Sequence, residues 1–144
     1  MGCSDAGTPE TTARDPAVYA AVIDAVVAGQ TPTGTPFDKV VYVAGTATNR
    51  IGLEVQAAVV AELNQITVRF VDDRSEAIDA AAPGDPVLHG GLLLTLGPID
   101  AQAVDRVTVD VGSYRGAGTD SQAIVVVERH GGKWVVGSIT PGGS

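Results

Sequence analysis

Val40-Val41-Tyr42-Val43 is an unbroken apolar run flanked by Lys39 and Ala44. Successive side chains of a strand point to opposite faces, so such a run needs cover on both. Lys39–Ala44 therefore reads as a strand too apolar for an exposed edge, and the rest of the chain must supply what packs around it.

Upstream, Asp15-Pro16 precedes Val18, Tyr19, Val22, Ile23, Val26 and Val27. Three- and four-residue spacing places these side chains on one stripe of a helix. Asp15 suits the cap, Pro16 the first helical position, and Gly29 the end. After the strand, Thr46–Arg50 turns into a second helix, about Leu53 to Leu63, with Leu53, Ala57, Val60 and Leu63 on its inner side. Ile66–Val71 is a further strand. Asp73-Arg74-Ser75-Glu76 has capping-box spacing and predicts a short helix to about Ala82, closed by Pro83-Gly84.

The remainder is β. Gly91–Leu96 is an apolar strand that Gly97-Pro98 should end, and Arg106–Val111 alternates Val107, Val109 and Val111 against polar neighbours. Ala123–Arg129 and Lys133–Ile139 form a hairpin about Gly131-Gly132. The order predicts an α+β fold: a curved antiparallel sheet of about four to six strands with two or three helices packed on one face.

At 144 residues the chain fits one domain. We divide it into a flexible N-terminal tether, residues 1–13, and a single α+β domain, residues 14–144. The net charge is −8, and the nine Lys and Arg residues are scattered singly. Without a basic stripe the chain is not expected to bind nucleic acid. One cysteine forbids an internal disulfide, and no apolar run approaches the ~20 residues of a membrane helix.

That cysteine stands in Gly2-Cys3-Ser4, followed by a Ser/Thr/Gly/Pro/Asp stretch to Thr12. The segment resembles the end of a bacterial lipoprotein signal, in which Cys3 receives the lipid and the polar stretch is the tether. The resemblance implies an extracytoplasmic domain held at the outer face of the cell membrane only through a lipid on Cys3.

A second resemblance lies near the C-terminus. Tyr114-Arg115, Val125-Val126-Val127-Glu128-Arg129 and Gly132-Lys133-Trp134-Val135-Val136 are similar to the last hairpin of cystatin-like and nuclear-transport-factor-2-like domains. This implies helices on the concave face of a bent sheet, in some members around a ligand-binding or catalytic cone. An early strand before the second helix departs from that pattern. The whole chain also resembles small secreted actinobacterial proteins.

Chemistry-bearing residues are few. His130 sits at the hairpin turn, where an exposed polar residue belongs. His89, beside Gly90-Gly91, is the weak catalytic candidate, a base near neutral pH if it faces a cavity. Metal-ligand spacing is absent, and Asp72-Asp73 lacks the calcium-loop pattern. Gly112-Ser113-Tyr114-Arg115-Gly116-Ala117-Gly118 joins strands and precedes no helix, so it reads as a long turn rather than a phosphate loop. No cofactor is implied. The expectation is a non-catalytic module that binds a small molecule or a protein. The alternative is a small isomerase- or hydrolase-like enzyme with a cone-shaped cavity, using His89 and a nearby carboxylate.

Overall fold

A computed structural model describes residues 9–29, 39–46, 51–63, 66–116 and 121–141. Helix α1 spans Pro9–Ala28 and strand β1 spans Val40–Ala44. Helix α2 covers Leu53–Glu62 and leads to β2, Thr67–Val71. Four long strands follow: β3 (Leu92–Ala103), β4 (Arg106–Tyr114), β5 (Ser121–His130) and β6 (Lys133–Pro141). All six form one sheet in the order β2-β1-β3-β4-β5-β6.

The fold is α+β, and its sheet is mixed rather than antiparallel. β1 pairs in parallel with both β2 and β3, while β3 to β6 form an antiparallel meander. The reason lies in β1 itself. Val41, Tyr42, Val43 and Ala44 are all buried, and a strand buried on both faces belongs in the interior of a sheet between parallel neighbours, with crossovers covering it.

The two crossovers lie on opposite faces. Val59 of α2 and Leu63 just beyond its end join Val18, Val22, Ile23 and Val27 of α1 over Val41, Val43, Leu92, Leu94, Leu96 and the inward valines of β4 and β5. Both α-helices therefore pack on one face, as expected. The other face carries Tyr42, Leu93 and Tyr114, covered by Ala77 and Val87 from the segment between β2 and β3. That segment is not the expected helix to Ala82. It makes one 3-10 turn at Arg74–Ala77, closes on itself through an Ile78–Val87 bridge, and makes a second turn at Leu88–Gly90.

Three local expectations also change. α1 starts at Pro9 and contains Pro16 in its interior. Residues 9–13 of the expected tether are thus helical, and residues 1–8 lie outside the described residues. On α2 the buried position is Val59, followed by Leu63 at the cap, whereas Leu53 and Val60 are exposed. With alanines and valines around most of its circumference, this helix does not specify its inner face by itself, and packing selects the Val55, Val59 and Leu63 side. Finally, Gly97-Pro98 does not stop β3. The register steps from Leu96↔Val111 to Ile99↔Val109, which sets Gly97 and Pro98 together against Asp110. This is a β-bulge, a place where a strand tolerates a proline without an N–H.

The terminal hairpin follows its sequence. Gly131 and Gly132 both have positive φ, 60° and 83°, as a two-residue turn of matching twist demands. At the opposite end of the sheet Gly91 is buried where β3 approaches β1, and a Cβ there would fall onto the Val40 carbonyl. Gly91→Ala is expected to destabilise the domain by about 1–3 kcal/mol, as overpacking against rigid backbone does. Chemical denaturation checks this through a lowered midpoint with an unchanged slope.

Candidate functional site

The carboxyl end of β1 lies beside Thr95, early in β3, and the connections that lead to β2 and to β3 diverge. From β1 the chain crosses to β2 over the helical face. From β2 it returns past β1 over the opposite face to reach β3. Crossovers that part on opposite faces in this way leave a crevice outside the carboxyl end of the strand between them, here β1, the usual ligand position in open sheets.

A groove of about 330 Å³ occupies this position, lined by Thr46, Arg74, Thr95, Gly97, Pro98, Asp110, Gly112, Ser113, Tyr114 and Gln122. Its floor is a single row across the sheet. Ala44 pairs with Thr95, Thr95 with Gly112, and Gly112 with Gln122. Small side chains at three of these positions make the trough. Gly112 contributes most, because a Cβ there would approach the Gln122 amide nitrogen to 3.0 Å.

The walls come from both sides of that row. On β4, Tyr114 stands two residues beyond Gly112 and Asp110 two residues before it. The Tyr114 ring carries the Arg74 guanidinium, 5.2 Å from its centroid, and its hydroxyl donates to the Asp85 carbonyl at 2.7 Å. The second contact pins the covering segment to the sheet. The opposite wall is the bulge, held in place by the Tyr19 hydroxyl, which donates to the Gly97 carbonyl at 3.0 Å. An adjoining depression shares Thr46, Arg74 and Thr95 and extends to Ile51, Leu53, Phe70, Asp72 and Asp73.

Arg74 owes its place to the capping box predicted from sequence. The Ser75 N–H donates to Asp73 Oδ1 at 2.9 Å, and the Asp73 N–H donates to Glu76 Oε2 at 3.2 Å. Hydrogen bonds from the Ser75 backbone and side chain, aided by the Arg74 charge, hold the Asp73 carboxyl below its ordinary range.

The structure does not bring His89 to the groove. It is exposed in the turn before β3, at the amino end of the parallel strands, with a left-handed φ of 60°. His130 is exposed in the hairpin, its Nε2 3.3 Å from Glu128 Oε1. Cys3 and residues 117–118 of the glycine-rich stretch lie outside the described residues. Gly112, Ser113 and Tyr114 of that stretch belong to β4 and line the groove, so they are strand rather than turn. No cluster of potential metal ligands occurs among the described residues, and none of their helices is long and apolar enough to cross a membrane. Sequence reasoning missed the groove. Its only local signal was Gly97-Pro98 within an apolar strand, which is as good a bulge signal as a stop signal. The chain matches no protein-family model, no curated protein and no solved structure.

The Asp73 cap makes a directional prediction. A carboxyl whose folded pKa is depressed stabilises the fold above its unfolded pKa and loses that contribution as the pH falls through the folded value. In an NMR titration Asp73 should deprotonate at lower pH than an ordinary aspartate, and Ser75→Ala should move its midpoint upward. An unchanged midpoint in Ser75→Ala would remove the side-chain hydrogen bond from the explanation.

Proposed function

We propose that the domain is a non-catalytic binding module that takes a small polar ligand in the groove at the carboxyl end of β1, beside the bulge of β3. The position of the groove carries this reading: it lies where the crossovers part, and its floor is a row of small residues between two walls that separate hydrogen bonds anchor. Hydroxyl, amide and charged groups line it, while the core beneath consists of hydrophobic residues, with hydrogen-bonded tyrosine hydroxyls at its margin. Such a trough orients a ligand by hydrogen bonds and excludes little water, which suits recognition better than acid–base chemistry.

The test fills the trough. Gly112→Val adds a β-branched side chain on an open strand face and meets only the flexible end of Gln122, so stability should change by about 1 kcal/mol or less. Ligand-observed NMR with a defined panel of short peptides, amino acids, monosaccharides, carboxylates and nucleotides should give binders to the wild-type domain that Gly112→Val loses. Binders indifferent to Gly112→Val, or an empty panel, would count against the groove.

The proposal extends to location. Gly2-Cys3-Ser4 and the polar residues after it support a domain tethered outside the cell membrane by lipid on Cys3. Stable attachment needs more than one acyl chain. Expressed in bacteria behind its own leader, the protein should fractionate with membranes and shift to the soluble or unprocessed pool on Cys3→Ser. Wild-type protein unmodified at Cys3 and released to the medium contradicts the tether.

A further inference from the structure

On its β5 side the groove continues into an apolar strip of the sheet. The even-numbered residues of β5 share the face of Asp110 and Gly112, because Asp110 pairs with Ile124 and Gly112 with Gln122. Beyond Gln122 that face carries Ile124 and Val126, and β6 adds Val135 opposite Glu128. Ile124 and Val135 are exposed and Val126 is half-buried, whereas the odd-numbered Val125 and Val127 are buried under the helices. Asp110 stands where strip and groove meet, its Cβ about 5 Å from that of Ile124 across the strands. Its carboxylate is exposed and lines the groove, and among the described residues it makes no hydrogen bond or ion pair. Arg74, at the Tyr114 wall, is already engaged: it lies over the ring, and its charge acts on Asp73.

Resting on the binding reading above, we infer that the ligand is a free primary alkylammonium, its cationic head in the groove at Asp110 and its hydrocarbon chain along Ile124 and Val126. An ammonium has three N–H donors and no acceptor. The Asp110 carboxylate, the Thr95 hydroxyl and the Gln122 side-chain carbonyl are acceptors lining one groove, and the Gln122 amide lies over Gly112. A hard metal ion such as calcium takes about six to eight oxygens, which one carboxylate with such neighbours does not supply. Ile124 and Val126 stand about 7 Å apart along β5, room for a chain of several methylenes. The net charge of −8 draws cations to the surface and repels carboxylates.

The experiment is an amide-resolved NMR titration of the full chain with n-hexylammonium, ethylammonium, n-hexanol, hexanoate and N-acetyl-lysine methylamide. Hexylammonium should shift the Gly112, Gln122 and Ile124 amides. Hexanol keeps the chain without the charge and should bind about fivefold more weakly, the upper range for an exposed ion pair, with hexanoate weaker still. Ethylammonium should lose about tenfold, because each methylene on a half-open surface contributes less than the roughly fourfold of full burial. Asp110→Asn should weaken hexylammonium about fivefold and leave hexanol unchanged. Asp110 is exposed, so this variant should keep its fold. Hexylammonium that binds no tighter than hexanol, or undiminished in Asp110→Asn, overturns the inference. So does tighter binding of the lysine amide than of hexylammonium, which would assign the site to a protein lysine. If the amines fail while another panel class binds in a Gly112-dependent manner, the alkylammonium inference falls and the groove reading stands. If nothing binds, both fall.

Discussion

Everything in this fold follows from burying β1 on both faces. Val41 and Val43 face the helices, and Tyr42 and Ala44 face the other way, so neither side can be left to water. An apolar strand of this kind is stable only with a neighbour on each edge and a cover on each face. The chain meets these demands in two passes. α2 closes one face on the way to β2, and the irregular segment after β2 closes the other on the way to β3. Opposed crossovers then leave a crevice at the carboxyl end of β1. The candidate site is thus a by-product of how the central strand is covered, and its location is topological before it is chemical.

Two tyrosines convert that crevice into a defined shape. Only 4% of the chain is aromatic, yet Tyr19 and Tyr114 each spend a hydroxyl on a backbone carbonyl far away in sequence. Tyr19 fixes the bulge from the helical side, and Tyr114 fixes the covering segment from the other. A buried hydroxyl left without a partner costs more than the bond itself contributes, so both contacts constrain geometry more strongly than their modest net energies suggest. Arg74 sits between a capped turn and an aromatic ring for related reasons, since both restrict where its side chain can go.

What the sequence revealed and what it concealed divide along a physical line. Features set by local spacing were legible: the α1 stripe from Val18 to Val27, the Gly131-Gly132 turn, the Asp73 cap and the alternation of β4. Features set by distant partners were not. Val40–Ala44 calls for cover on both faces but does not say which strands flank it, and the meander-like C-terminal half suggested an antiparallel sheet throughout. α2 is apolar on several sides, so Leu53 looked buried although it is 81% exposed. Gly97-Pro98 has the same composition as a strand stop, and only pairing against Asp110 shows it to be a bulge. The groove draws its residues from five separate stretches of chain, from Thr46 to Gln122, and only the fold brings them together. His89 attracted attention as a histidine beside glycines, but those glycines serve a tight turn away from the crevice.

The central claim is the parallel placement of β1 between β2 and β3, because the crossovers, the crevice and the site all depend on it. Interstrand nuclear Overhauser contacts test it directly. Contacts should place Tyr42 opposite both Arg69 and Leu93, and Val43 opposite Phe70 and Leu94, in the pattern of parallel strands. Close α-proton to α-proton contacts between β1 and either neighbour, the mark of antiparallel pairing, would contradict it.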